Sequence, residues 1–187
     1  PPGLSFNAIS KKALAAYDKA TLPRSYWDWG EHIDSNSAGA FPYTPATNLL
    51  FGLNEAILML KEEGLDNVFK RHKRYAEATR LAVQTWGLEV LCENKDDFSN
   101  TLTAVLLPEG HNADEFRSIV LDNFNMSLGN GLSRLAGKVF RIGHLGDFND
   151  LMLVATLGGI EMGLAKSSIP HQVGGTQAAM QFLKQNS

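Results

Sequence analysis

The chain has 187 residues, 44% apolar and 20% charged, with a net charge of −3 at pH 7 and a pI near 6.0. That balance fits a folded globular protein rather than a disordered one, and the slight acidity gives no electrostatic reason to expect nucleic acid or an anionic membrane as a partner. The single cysteine, Cys92, excludes an internal disulfide and points to a reducing, cytoplasmic setting, and no run approaches the roughly 18 apolar residues of a membrane span.

In chain order, residues 4–9 read as a short strand, followed by a helix over residues 10–20 with Ser10 as its cap. Residues 21–30 carry Tyr26, Trp27 and Trp29 and read as an extended segment, and the small polar residues 34–40 as a loop. The two tryptophans are expected in a core, with a subunit interface as the alternative. Thr44-Pro45 then opens a helix, because threonine is a favoured N-cap and proline a favoured first helical residue. Leu49, Leu53, Ile57 and Leu60 give that helix an apolar stripe, and Gly64 ends it. A second helix is expected over residues 65–86, carried by Leu65, Val68, Phe69, His72, Tyr75, Ala76, Val83 and Trp86. Together the two would run about 60 Å at 1.5 Å per residue, enough to bridge two domains. The domain boundary is placed near Gly64, and residues 1–64 are too few and too incomplete to build a core alone.

Beyond Gly87 the texture changes. Residues 88–91 and 102–107 read as strands, and Asn112 with Glu115 resembles a capping box before a helix through Phe116, Ile119, Val120 and Phe124. Residues 126–128 read as a short strand, Gly129-Asn130-Gly131 as a mobile turn or simple hairpin connection, and residues 139–142 as another strand. Asn149 caps an apolar helix to Leu164, whose Gly158, Gly159 and Gly163 suggest close helix–sheet contact. The order β-β-α-β-β-α over residues 65–187 is that of a two-layer α+β sandwich.

Two places suggest chemistry. In Gly137-Lys138-Val139-Phe140-Arg141-Ile142-Gly143-His144-Leu145-Gly146, an arginine stands in a short apolar strand. A guanidinium buried among Val139, Phe140 and Ile142 needs an anion, and its planar fork matches a carboxylate. The other reading is plain alternation, with Arg141 on the watery face. Thr44 is the second place: a helix N-terminus favours phosphate, although a simple N-cap explains the same residues. Lys70-Arg71-His72-Lys73-Arg74 reads as a solvated helix face held by i,i+4 pairs rather than a nucleic-acid patch. The five histidines show no metal-ligand spacing; His144 either lines the mouth of a site or fills a loop.

The arginine segment, together with Pro1-Pro2-Gly3-Leu4-Ser5-Phe6 and Phe41-Pro42-Tyr43-Thr44-Pro45-Ala46-Thr47-Asn48, resembles class V (fold type I) pyridoxal-phosphate aminotransferases of the serine–glyoxylate and alanine–glyoxylate group. The resemblance implies an α/β plus α+β architecture. Residues 1–64 would be the end of the large pyridoxal-phosphate domain and 65–187 the small C-terminal α+β domain. It implies transfer of an amino group from L-serine or alanine to glyoxylate, giving glycine and, from serine, hydroxypyruvate. Arg141 would bind the substrate carboxylate, and Thr44 would reach the phosphate of pyridoxal 5'-phosphate across a homodimer interface. The resemblance also implies a Schiff-base lysine just upstream of the Pro-Pro-Gly-Leu stretch, hence upstream of Pro1; none of the ten lysines here stands in a matching context, so this chain alone would not catalyse. Pro1 is neither an initiator methionine nor part of a signal peptide, and the chain is expected to begin inside a longer gene product. Some relatives carry a tyrosine where Phe41 stands, and Tyr43 is a conceivable substitute for its phosphate contact. The rival readings are a non-catalytic α+β module that binds a small carboxylate, or a dimerisation domain.

Overall fold

The computed structural model describes residues 3–186; Pro1 and Pro2, which open the Pro-Pro-Gly-Leu stretch, lie outside the described residues. The chain divides into two compact units, Pro1–Glu63 and Gly64–Ser187.

The first unit is three helices: α1 (Lys11–Tyr17), α2 (Trp29–Ser37) and α3 (Thr47–Glu63). Ser10 caps α1 as expected, its hydroxyl accepting from Ala13 N–H at 3.2 Å. The strand expected over residues 4–9 is absent, for the described part of this unit has no second strand to pair with it. The extended segment is cut short at Asp28, whose carboxylate accepts from Gly30 N–H at 2.9 Å and Glu31 N–H at 3.3 Å and starts α2 where a loop was expected. Helix α3 begins later than Thr44-Pro45 suggests. Thr47 N–H turns back onto Pro45 O (2.9 Å), and the first helical bond runs from Leu50 N–H to Ala46 O (3.1 Å). Thr44 is therefore outside the helix and is not its cap. No described residue of 3–63 is fully buried, and Trp27, expected in a core, is 82% exposed.

The second unit begins at Gly64, whose φ of +81° breaks the helical path and suits glycine. Helix α4 (Leu65–Thr85) buries Val68, Tyr75, Ala76 and Val83 of the expected face, with Ala82 beside them, whereas Leu65 (56%) and Phe69 (63%), expected on the same face, are exposed. Then come β1 (Glu89–Val90), β2 (Leu102–Leu106), α5 (Ala113–Phe124), β3 (Gly129–Asn130), β4 (Val139–Gly143), α6 (Asp150–Lys166) and α7 (Gly175–Gln185). Asn112 caps α5 by accepting from Asp114 N–H at 2.8 Å, and Asn149 caps α6 by accepting from Met152 N–H at 3.0 Å. The four strands form one antiparallel sheet in the order β1-β2-β4-β3. Val105, Phe140 and Ile142 point from one face into a core shared with Trp86, Phe116, Leu157 and Ile160 from the helices. This is the expected two-layer α+β sandwich, with α7 added.

Three local expectations shift. The strand near residue 126 lies instead at Gly129–Asn130, where a turn was expected, because Leu128 is drawn into the core and Met126 packs on Gly159. The helical glycines serve that contact and another helix rather than the sheet: a Cβ on Gly163 would come within 2.5 Å of Val120 on α5. Helix α7 has no local capping signal, since its cap is the carboxylate of Glu161, donated to by Thr176 N–H at 2.8 Å and Thr176 Oγ1–H at 2.6 Å.

Candidate functional site

Arg141 lies mid-strand in β4, an inner strand of the sheet, with Ala104 of β2 on one side and Gly129 of β3 on the other. Strand alternation sends Phe140 and Ile142 (both 0% exposed) to the core, Phe140 packing 4.8 Å from the Phe116 ring, and leaves Arg141 half-buried on the opposite face. The guanidinium is thus not buried among Val139, Phe140 and Ile142; the period of two separates it from the last two. It is nonetheless held. Nε–H donates to Asn130 O at 2.8 Å, and among the described residues no carboxylate pairs with it. The missing side chain at Gly129 makes this posture possible: a Cβ there would stand 3.0 Å from Arg141 Cβ and 3.2 Å from Nε.

The link that follows β4 is fixed from behind by α4. His72 Nδ1–H donates to Val68 O at 2.7 Å, which leaves Nε2 to accept from Gly146 N–H at 3.1 Å. Arg71 donates to Gly146 O at 2.8 Å. Arg74 grips Asp150 at the start of α6 with two bonds of 2.7 Å and donates to Leu183 O at 2.8 Å, while Tyr75 O–H also donates to Asp150 at 3.0 Å. The run Lys70–Arg74 is therefore a solvated face only in part. Lys70 and Lys73 are exposed, and Lys73 makes an i,i+4 pair with Glu77 at 3.9 Å, whereas Arg71, His72 and Arg74 brace the segment carrying the site. The sequence spacing cannot show this, because the partners are some 75 residues away.

His144 does not line a mouth. It is fully buried, with Nε2 accepting from Thr103 Oγ1–H at 2.9 Å and Nδ1–H donating to Asn100 O at 3.2 Å. Burial pushes its pKa down to about 4, outweighing the backbone bond to Asn100, so the ring is neutral.

In the first unit, Thr44 is exposed and stands three residues ahead of α3. Phe41 is 49% exposed. The Tyr43 hydroxyl donates to Glu31 at 3.1 Å and pairs with Ser25 at 2.8 Å. Lys11, Lys12 and Lys166 are exposed, as solvated helix residues should be. A cavity of about 190 Å³ in the second unit, lined by Arg80, Cys92, Phe98 and Leu102 among others, does not include Arg141. Among the described residues no His/Cys/Asp/Glu group could hold a metal ion, and no helix is long and apolar enough to cross a membrane.

No family model matches the chain. It is 43% identical, over its whole length, to the serine–glyoxylate aminotransferase of Methylorubrum extorquens, of which it covers 48%, and 38% identical to the L-aspartate–glyoxylate aminotransferase of Paracoccus denitrificans, again covering 48%. The fold is that of the pyridoxamine–pyruvate aminotransferase from Mesorhizobium loti, with a TM-score of 0.84 and 27% identity over 96% of this chain and 47% of that one. The chain thus spans about half the length of the curated relatives it matches. Over its full extent it corresponds to the C-terminal half of a class V (fold type I) pyridoxal-phosphate aminotransferase.

Proposed function

We propose that the chain is the substrate-carboxylate-binding half of an aminotransferase that moves the amino group of L-serine, or alanine, to glyoxylate, giving glycine and, from serine, hydroxypyruvate. One observation carries this reading: Arg141, on an inner strand, is fixed by a main-chain carbonyl yet pairs with no carboxylate of the described residues. Glyoxylate is the acceptor common to both curated relatives named above, whereas their donors differ; serine follows the relative with the higher identity. A small acid and its oxo counterpart share one carboxylate, so the same arginine serves both halves of the exchange.

Pyridoxal 5'-phosphate, when bound, supplies the electron sink for removing the substrate's α-proton. The residues here suit its phosphate end. The exposed Thr44 hydroxyl is not used to cap α3, and it precedes a 17-residue helix whose N-terminal dipole favours an anion. Arg141 binds and orients the substrate carboxylate through its planar fork. The lysine that would hold the cofactor belongs upstream of Pro1. Residues 1–64 form the end of the large domain and residues 65–187 the small domain. A homodimer and the rest of the large domain cover the apolar side chains that the first unit exposes, Leu22 (82%), Trp27 (82%) and Phe51 (76%) among them. We place the protein in the cytoplasm, where a free thiol such as Cys92 stays reduced.

The test is kinetic, in the enzyme carrying both halves. Arg141→Ala is expected to cost about 2–5 kcal/mol in kcat/KM for serine and glyoxylate, and Arg141→Lys to recover little of it. Cofactor retention should survive both changes. Thr44→Val should do the reverse, weakening cofactor retention by about 1–3 kcal/mol while leaving the melting temperature of the apo form alone, since no cap is lost. Wild-type kinetics in Arg141→Ala would rule the reading out.

A further inference from the structure

We infer that β3 is a rest for the Arg141 guanidinium that leaves only its Nη1–Nη2 edge open, so that the substrate carboxylate docks end-on, and that Gly129 is the positioning residue that makes this possible. The inference rests on Arg141 being the carboxylate binder and specifies how it binds.

A guanidinium can meet a carboxylate through two bidentate edges, end-on with Nη1 and Nη2 or side-on with Nε and one Nη. In this fold the side-on edge is already taken, because Nε–H donates to Asn130 O at 2.8 Å. That acceptor is a main-chain carbonyl at a fixed register, Asn130 opposite Phe140. It cannot rotate away as a side chain would, and it neutralises no charge. The cation keeps its full attraction for an anion while one of its edges is closed.

The posture depends on Gly129, the direct cross-strand partner of Arg141. Its φ is not positive, so its own backbone would accept any residue. What a side chain would disturb is the neighbour: a Cβ at Gly129 would lie 3.0 Å from Arg141 Cβ, 3.2 Å from Nε and 3.5 Å from Arg141 O, so Arg141 would have to give way by a few tenths of an ångström and leave its present posture. On the other flank its register partner is Ala104, whose side chain is a single methyl. The glycine thus serves the arginine, not a turn. Gly131 is different: a Cβ there would stand 2.0 Å from Leu135 O, so that glycine is a requirement of the chain path itself.

The experiment compares Gly129→Ala with Arg141→Ala in the full-length holoenzyme, using competitive inhibition by propionate and by propionamide as probes. Gly129→Ala should raise the inhibition constant of propionate, and the KM of serine and glyoxylate, by about tenfold. It should leave propionamide inhibition, cofactor absorbance and thermal stability near wild type, a pattern that a general weakening of the sheet cannot produce. Gly129→Val should have the larger effect. If Arg141→Ala weakens propionate but Gly129→Ala does not, the positioning role is wrong and the carboxylate role stands. If neither variant changes propionate binding, the carboxylate role itself is wrong. Should Gly129→Ala fail to fold, the Arg141 Nε–H resonance decides in the wild type, assigned by its loss in Arg141→Lys. It is expected to stay in place on saturation with propionate, and a displacement as large as that of the Nη protons overturns end-on docking.

Discussion

Arg141 and His144 are three residues apart and show how period-two geometry sorts polar groups. Arg141 faces outward and keeps its charge available; His144, just past the strand, turns inward and loses its own. Alternation alone assigns the first, and it was one of two readings open in the sequence. The second was not legible, because the partners that make a buried imidazole tolerable, Thr103 and the Asn100 carbonyl, come from a different strand and loop. A consequence follows for pH. Burial lowers the His144 pKa from 6.5 to about 4, so between those values the unfolded chain holds a proton that the native one refuses. Stability then rises with pH across this window and is lost as pH falls from about 6.5 towards 4. Each tenfold loss of proton affinity is worth roughly 1.4 kcal/mol, so the full loss of stability is about 3 kcal/mol. Urea unfolding of the 187-residue chain at pH 7 and pH 4.5 should show this drop, and His144→Gln, which can keep a donor and an acceptor, should show a smaller one. Equal drops in both proteins would remove His144 as the cause.

Elements were readable where their stop and start signals are local. Ser10, Asn112 and Asn149 cap helices from adjacent positions, and Gly64 separates α3 from α4. Helix α7 was missed because its signal is remote: Glu161, on α6, supplies the carboxylate that binds Gly174 and Thr176. Burial alone would raise the Glu161 pKa, but the bonds from the Thr176 hydroxyl and the two amides outweigh it and bring the value down to about 2. This contribution is present above about pH 4.5 and is lost as pH falls towards 2. The same helix start is locked sterically. A Cβ on Gly175 would lie 2.3 Å from Trp86 Nε1 and 2.7 Å from Ala82 O, and both neighbours are fully buried. Gly175→Ala should therefore destabilise by about 1–3 kcal/mol, the usual cost of overpacking, although alanine is the better helix former. The check is the urea midpoint. A variant as stable as wild type would mean that α7 can move without loss, and that the packing of α4 on α7 is looser than these distances imply.

At the scale of the whole molecule, the two units differ in what holds them. The second has a continuous core running from Tyr75 through Phe140 to Leu183, whereas the first has no fully buried residue between 3 and 63. The two units divide at Gly64, and the sequence could not show that the tryptophans of the first unit find no core within it. Hydrophobic burial is the main source of stability, so helices without it should open easily, since short isolated helices are marginal in water. Amide hydrogen exchange on the 187-residue chain should show strong protection in α4, α6, β2 and β4 and weak protection in α1–α3. In the full-length enzyme α3 should become protected, because the remaining large domain and the second subunit would cover Phe51 and the neighbouring apolar side chains. Protection of α3 equal to that of α6 in the chain alone would show that the first unit is self-sufficient, and would remove the physical reason for assigning residues 1–64 to a larger domain.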